Sequence, residues 1–202
     1  NHLRELKSLS SKFNFILLGL GVEPKLSLND FPWMPKERYS IMKEYMPKVG
    51  MLGHHMMQRS CTSQVNFDYY SEEDMVKKFK LMLNFESLGT AIFANSPFDG
   101  GRPSKYKSLR SHFWHHTDKN RTGILPFVFS QNFNFESYVD YALDIPMYFI
   151  KRDNKYLDMT NFTFKEFLNG KFIQNKKIEE PNIKDWIDHL STLFPQIRLK
   201  QY

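Results

Sequence analysis

Cysteine is almost absent: Cys61 is the only one in 202 residues. A single thiol excludes a disulfide within the chain and the small stapled scaffolds that depend on several. It fits a reducing compartment, and a cytoplasmic location is the expectation. Long apolar runs are also missing. The longest candidate, Phe13 to Val22, is interrupted by Asn14, Gly19 and Gly21 and falls well short of the ~20 residues a membrane helix needs. No membrane partner is expected. There is no arginine-rich arm, zinc-ligand spacing or recognition-helix signature, so the net charge of +6 suits anionic small substrates at least as well as nucleic acid. No nucleic-acid partner is expected. Repeats and low-complexity linkers are lacking, which favours one α+β unit over two domains. An initiator methionine is missing too: the chain opens at Asn1 inside a helical pattern and closes on the strand-like Ile197–Tyr202, as a piece of a longer protein would.

What is present is ample material for a core, with 41% hydrophobic and 16% aromatic residues. Leu3, Leu6, Leu9, Phe13, Ile16, Leu17 and Leu20 recur at three- and four-residue steps, which predicts a helix ending at the glycines. Tyr39, Ile41, Met42 and Tyr45 predict a second helix, stopped by Pro47 and Gly50. Ser71 to Asp74 has the form of a capping box and opens a long helix that must end before Pro97. Further helices are expected over Phe135–Leu143, Thr163–Leu168 and Ile183–Leu193. Two alternating runs joined by Asp153-Asn154 predict a β-hairpin from Met147 to Met159.

The central stretch, Cys61 to Tyr69, alternates with a period of two. Successive strand side chains point to opposite faces, so Cys61, Val65, Phe67 and Tyr69 are expected in a core. Thr62, Gln64, Asn66 and Asp68 form the other row. That pattern suits either a half-buried strand with a wet face or a strand lining a polar cleft.

Arg110 and Trp114 stand four residues apart and so share one helical face, where a guanidinium beside an indole can take a carboxylate or phosphate bidentately. Arg121 lies in the turn Asp118 to Gly123, and Arg38 sits in a helical first turn where the dipole gives a cation nothing. His112 and His116 have the i, i+4 spacing of a metal pair, but no Glu lies between them and no third ligand is apparent. A histidine-bound metal is not expected.

The words Met34-Pro35-Lys36-Glu37-Arg38-Tyr39, Arg59-Ser60-Cys61-Thr62-Ser63-Gln64-Val65-Asn66, Ala94-Asn95-Ser96-Pro97-Phe98, Arg110-Ser111-His112-Phe113-Trp114, Asp118 to Gly123, Leu125 to Phe129, Tyr138 to Tyr148 and Trp186 to Lys200 together resemble the plant-type glutamate-cysteine ligase family, from about residue 24 onward. The resemblance implies ATP-dependent joining of the γ-carboxylate of L-glutamate to the amine of L-cysteine through an acyl phosphate, with Mg²⁺, as the first step of glutathione synthesis. It implies an α+β fold, an antiparallel sheet with flanking helices belonging to a glutamine-synthetase-like ligase. Residues 1–202 would be a single incomplete catalytic domain.

Carried over residue by residue, it implies catalytic roles for Arg110 and Arg121. It implies substrate contacts from Arg38, Met57, Arg59, Thr62, Gln64, Asn66 and Trp114. It further implies that Gln64 is a metal partner, with the main carboxylate ligands outside this chain. Ser60, Ser63 and His115-His116 depart from the family's usual residues. Met159 and Gln174 stand where plant members often have cysteines that can form a regulatory disulfide. Competing readings are a carboxylate-amine ligase with another acceptor, or a basic binding domain without catalysis.

Overall fold

Caps and breakers set most of the helix boundaries in the computed structural model, which describes residues 2–170, 172–174 and 177–200. Helix α1 (His2–Phe13) ends earlier than its apolar periodicity predicts. Asn14 adopts φ 51° and Phe15 N–H reaches back to Ser10 O at 3.0 Å, a left-handed cap with the 6→1 bond of a Schellman motif. Residues 15–20 then run without regular structure, with Ile16 and Leu18 strongly exposed.

Helix α2 (Glu37–Val49) continues through Pro47, which was expected to stop it, and ends against Gly50. Proline cannot donate to the carbonyl four residues back, and here His54 Nε2–H donates to Lys43 O instead, at 2.8 Å. A side chain at position 50 would overlap Thr117 O, so only glycine permits this close approach. Helix α3 (Gly53–Arg59) has no counterpart in the sequence expectations. Helix α4 (Glu72–Ile92) starts where predicted, with Ser71 Oγ accepting from Asp74 N–H. Helix α5 (Leu109–His115) is capped by Ser108. Capping boxes at Asn134, Thr163 and Asn182 open α6 (Phe135–Asp144), α7 (Phe164–Leu168) and α8 (Ile183–Leu190).

Strands are short and come in pairs: β1 (Phe98–Asp99) with β2 (Arg102–Pro103), β3 (Thr122–Gly123) with the later β8 (Phe194–Pro195), β4 (Phe149–Arg152) with β5 (Lys155–Asp158), and β6 (Ile173–Gln174) with β7 (Lys177–Ile178). All are antiparallel except β3–β8, which is parallel. The β4–β5 hairpin is the predicted one, and its turn residues Asp153 and Asn154 hold φ 47° and 63°, as a tight two-residue hairpin requires. The chain is therefore α+β, as expected, but among the described residues no antiparallel sheet exceeds two strands.

The central stretch is a correction. Residues 61–69 form no strand, and Val65 and Phe67 are 72% and 58% exposed instead of buried. A strand buries one face only when neighbours ladder with it and a layer covers it. The ladder begins at a Val22↔Ser60 bridge, with Cys61 N–H on Gly21 O. It stops there because Gly21 N–H is taken by Asn95 O at 2.9 Å. The closing stretch 197–200 is likewise not a strand, and residues 201–202 of that expectation lie outside the described residues. Met159 is fully buried, while the side chain of Gln174 lies outside the described residues.

Two packed clusters hold the elements that carry the expected site residues. Met42, Tyr45, Met46, Met56, Leu109, Phe113, Tyr148 and Phe149 join α2, α3 and α5 to the start of β4. Met75, Phe79, Leu83, Val128, Phe133 and Tyr138 seat α4 against α6.

Candidate functional site

Helix α5 divides its side chains by period. Leu109 and Phe113 turn into the core, which leaves Arg110 and Trp114 on the opposite face. There they line a groove of about 580 Å³. The Arg110 guanidinium lies 5.2 Å from the Trp114 ring centroid, within cation–π range. Trp114 meets Phe194 edge-on at 5.8 Å, and Phe194 is held by the parallel pairing of β8 with Thr122 of β3. Arg110 backbone N–H donates to Ser96 Oγ at 3.1 Å.

The side-chain Nε of Arg110 and Nε1 of Trp114 are both buried and have no hydrogen-bond partner. Buried donors are nearly always paired, so two unsatisfied N–H groups on residues that line one groove are unusual. Burial lowers the proton affinity of Arg110 below its ordinary value, as desolvation of a cation must.

The groove's other walls are residues 62–69, the Lys78 to Glu86 side of α4, and residues 194–200. Thr62, Gln64 and Asn66 thus face the same space as Arg110 and Trp114. Gln64 Nε2 donates to Asn66 Oδ1 at 2.9 Å, so the two amides form one polar unit. Lys78 Nζ fastens the far end of the segment, donating to Asp68 O and Asp74 Oδ2, each at 2.7 Å. Tyr69 rests on Phe135 with ring centroids 5.9 Å apart. Arg198 also lines the groove, with Nη1 donating to Leu193 O at 2.9 Å.

A smaller cavity of about 270 Å³ adjoins the groove and shares Thr62, Arg110, Trp114 and Phe194 with it; Met57 lines this smaller one.

The other three arginines expected near substrate line neither cavity. Arg59 is 3% exposed; its guanidinium pairs with Asp99 at 2.7 Å and donates to Glu23 O and His55 Nδ1. Because an arginine only donates, His55 Nδ1 accepts and is unprotonated; burial and then Arg59 lower the histidine's pKa. Arg121 is fully buried. Its Nε donates to Asp118 Oδ2 at 2.9 Å, its Nη2 to Pro146 O, and its guanidinium covers the Tyr148 ring at 3.7 Å. Both arginines are tied into the interior and line neither cavity, because each finds a carboxylate and a carbonyl there. Arg38 is half-buried at the start of α2 and lies over the Tyr39 ring at 5.5 Å.

The described residues do not fit a magnesium site. No group of three or more His, Cys, Asp or Glu among them is placed to hold a metal ion, and the amide oxygen of Gln64 alone is too weak a donor set for a hard cation that prefers several oxygens. His112 and His116 contact each other with ring centroids 4.3 Å apart, but His116 Nδ1 is engaged with His112 O.

Sequence reasoning missed Arg198, Phe194 and Lys78. All three reach the groove from distant parts of the chain, and no spacing in the sequence signals that.

The family model for glutamate-cysteine ligase family 2 matches residues 1–202. The chain is 54% identical over its whole length to the chloroplastic glutamate–cysteine ligase A of Oryza sativa subsp. japonica, covering 41% of that protein. It is 52% identical to the chloroplastic glutamate–cysteine ligase of Arabidopsis thaliana and 51% to that of Nicotiana tabacum, covering 38% of each. The chain thus spans about 40% of the length of the curated relatives it matches. Their names overturn the cytoplasmic expectation, since each is chloroplastic; a lone thiol reports at most a reducing environment and cannot distinguish one reducing compartment from another. A match over every residue, with identity above half to the rice ligase, makes this chain a member of glutamate-cysteine ligase family 2.

Proposed function

We propose that this chain supplies part of the substrate-binding surface of a plastid ligase that joins the γ-carboxylate of L-glutamate to the amine of L-cysteine using ATP. The γ-phosphoryl group of ATP passes to the γ-carboxylate, giving an acyl phosphate and ADP. The cysteine amine then attacks the acyl carbon, the C–N bond forms, inorganic phosphate leaves and the amine loses a proton. In this reading residues 61–69 and 197–200 become strands of a glutamine-synthetase-like sheet in the longer protein.

The observation that carries the reading is the pair of unpartnered buried donors, Arg110 Nε and Trp114 Nε1, at the groove. A carboxylate that becomes an acyl phosphate gains acceptor oxygens and negative charge, and fixed donors aimed at that position stabilise the change. Arg110 binds glutamate or its acyl-phosphate oxygens, Trp114 walls the pocket, and Thr62, Gln64 and Asn66 offer neutral hydrogen bonds. The groove volume, about 580 Å³, lies within the usual ligand-site range of roughly 300–1,000 Å³. Arg198 adds a second cation where a triphosphate needs one. No metal-dependent step is assigned to these residues.

The test is steady-state kinetics of the full-length protein with glutamate, cysteine and ATP, following the dipeptide and phosphate. Arg110→Lys should lower kcat/KM for glutamate about tenfold to a hundredfold, the equivalent of losing a charge-assisted contact worth roughly 1.5 to 3 kcal/mol, with a much smaller change in KM for ATP. A variant of lower thermal stability with unchanged glutamate kinetics would remove Arg110 from the site.

A further inference from the structure

The last turn of α5 carries two histidines that the ligase reading does not use. His112 and His116 stand four residues apart and so on one side of the helix. To the bare spacing the structure adds a ring separation and a tautomer. The ring centroids are 4.3 Å apart, with the planes tilted by 53°. Two imidazoles bound to one ion at roughly 2.0–2.1 Å each hold their ring centres about 4.5 to 5 Å apart, so the observed separation is close to that of a bound pair.

A carbonyl oxygen only accepts, so His116 Nδ1 carries the hydrogen that it donates to His112 O at 2.9 Å. In the neutral ring the free lone pair is then on Nε2. Donation of the other ring N–H to a backbone carbonyl is how metal-bound histidines are commonly oriented. His112 is held by different means: Tyr106 stacks on it, with centroids 4.1 Å apart and planes 16° from parallel. His112 is half-buried and His116 exposed, which leaves the pair accessible from solvent.

We infer that His112 and His116 form a two-histidine site for a borderline divalent cation, Cu²⁺ before Zn²⁺ or Ni²⁺, separate from the Mg²⁺ of the ligase reaction. Imidazole suits these three ions, with Cu²⁺ the tightest, whereas Mg²⁺ takes oxygen ligands. Among the described residues no third His, Cys, Asp or Glu completes the set, so water fills the remaining positions. The same helix holds Arg110 and Trp114, and His116 O accepts from Leu52 N–H at 3.0 Å. An ion on this turn therefore fastens the end of the groove helix where it meets the start of α3.

The probe is the metal alone, added to the full-length protein without a histidine tag and with Mg²⁺ in excess. Cu²⁺ binding is followed by calorimetry and electron paramagnetic resonance, and the effect of Zn²⁺ by thermal denaturation. Wild type should bind Cu²⁺ with a spectrum showing two nitrogen ligands, and Zn²⁺ should raise its thermal midpoint. His112→Gln and His116→Gln should each weaken Cu²⁺ binding about tenfold or more, since even the loss of an orienting partner costs that much, and should remove the Zn²⁺ shift. His116 is exposed, so its replacement leaves the packing intact, and the metal-free midpoint of each variant reports folding.

His115→Gln, which removes the neighbouring exposed histidine, should change neither reading. Absence of Cu²⁺ binding, equal affinity in wild type and His116→Gln, or an equal loss in His115→Gln would overturn the assignment and leave an adventitious ion only.

Discussion

Arg121 and Arg110 carry the same side chain in contrasting surroundings, the one paired with Asp118 and the other without an ion pair among the described residues, and substitution at Arg121 can test whether its role is structural. Arg121 and Asp118 are 0% and 1% exposed and meet at 2.9 Å. The carboxylate also accepts from Asn120 N–H at 3.0 Å, and the guanidinium is sandwiched near Tyr148 and Tyr45 at 3.7 and 5.7 Å.

Arg121→Gln leaves the Asp118 carboxylate buried without its cation, a loss of about 3 to 5 kcal/mol for a pair of this kind. Loss of the stacking adds to it. In urea that corresponds to a midpoint lowered by more than about 1 M, given slopes of roughly 1 to 3 kcal/mol per molar. Arg121→Lys keeps the charge but loses the fork, so it should fall between wild type and the glutamine variant. The double variant Asp118→Asn/Arg121→Gln should be more stable than the sum of its parts, because neither partner is left as an unpaired ion. Denaturation of the full-length protein followed by tryptophan fluorescence measures all three, alongside KM for glutamate in the folded fraction. A stable Arg121→Lys protein with collapsed turnover would refute the reasoning and return Arg121 to the reacting groups, as the sequence resemblance implies.

Two other perturbations test the frame around the groove. His189 Nε2–H donates to Ala142 O at 2.8 Å, leaving Nδ1 buried and bare, and burial lowers its pKa to about 4 from 6.5. The unfolded state therefore binds a proton between those values that the folded state refuses, so stability is full above about pH 6.5 and falls with decreasing pH until about 4, by up to about 3 kcal/mol. Denaturant midpoints across that window should lose this slope in His189→Gln; an identical slope would place the titrating group elsewhere. Lys78→Met removes the clamp on Asp68 O and Asp74, and amide hydrogen exchange at residues 68–70 should speed up at least about tenfold, the equivalent of about 1.4 kcal/mol, while the middle of α4 keeps its protection. Unchanged exchange would show that Tyr69 on Phe135 suffices to hold the segment.

Some of this architecture was legible because it is local. Ser71, Asn134, Thr163 and Asn182 cap the helices they precede, and Asp153-Asn154 closes the predicted hairpin. Each depends on residues three or four apart. Where a distant group intervened, local reading failed. Pro47 stays inside α2 because His54 takes over the carbonyl it abandons. The alternation of residues 61–69 yields no strand because Asn95 occupies the N–H that would extend the ladder. Helix α3 carries no periodic apolar signal beyond its methionines, and it forms against the core that α2 and α5 present.

The candidate site divides along the same line. That Arg110 and Trp114 share a face was determined by the sequence alone, since a four-residue step on a helix brings two side chains together whatever surrounds them. Which of the arginines meets a carboxylate was decided by tertiary structure, although Arg59, like Arg110, keeps a buried Nε without a partner. Arg59 meets Asp99 across 40 positions of chain, and Arg121 meets Pro146 O across 25. Arg110 forms no ion pair among the described residues, and its Nε stays buried without a hydrogen-bond partner. The charge is written in each residue, but whether it is neutralised depends on which carboxylate folding brings within about 3 Å: for Arg121 that is Asp118, three positions away, whereas no spacing in the sequence states it for Arg59.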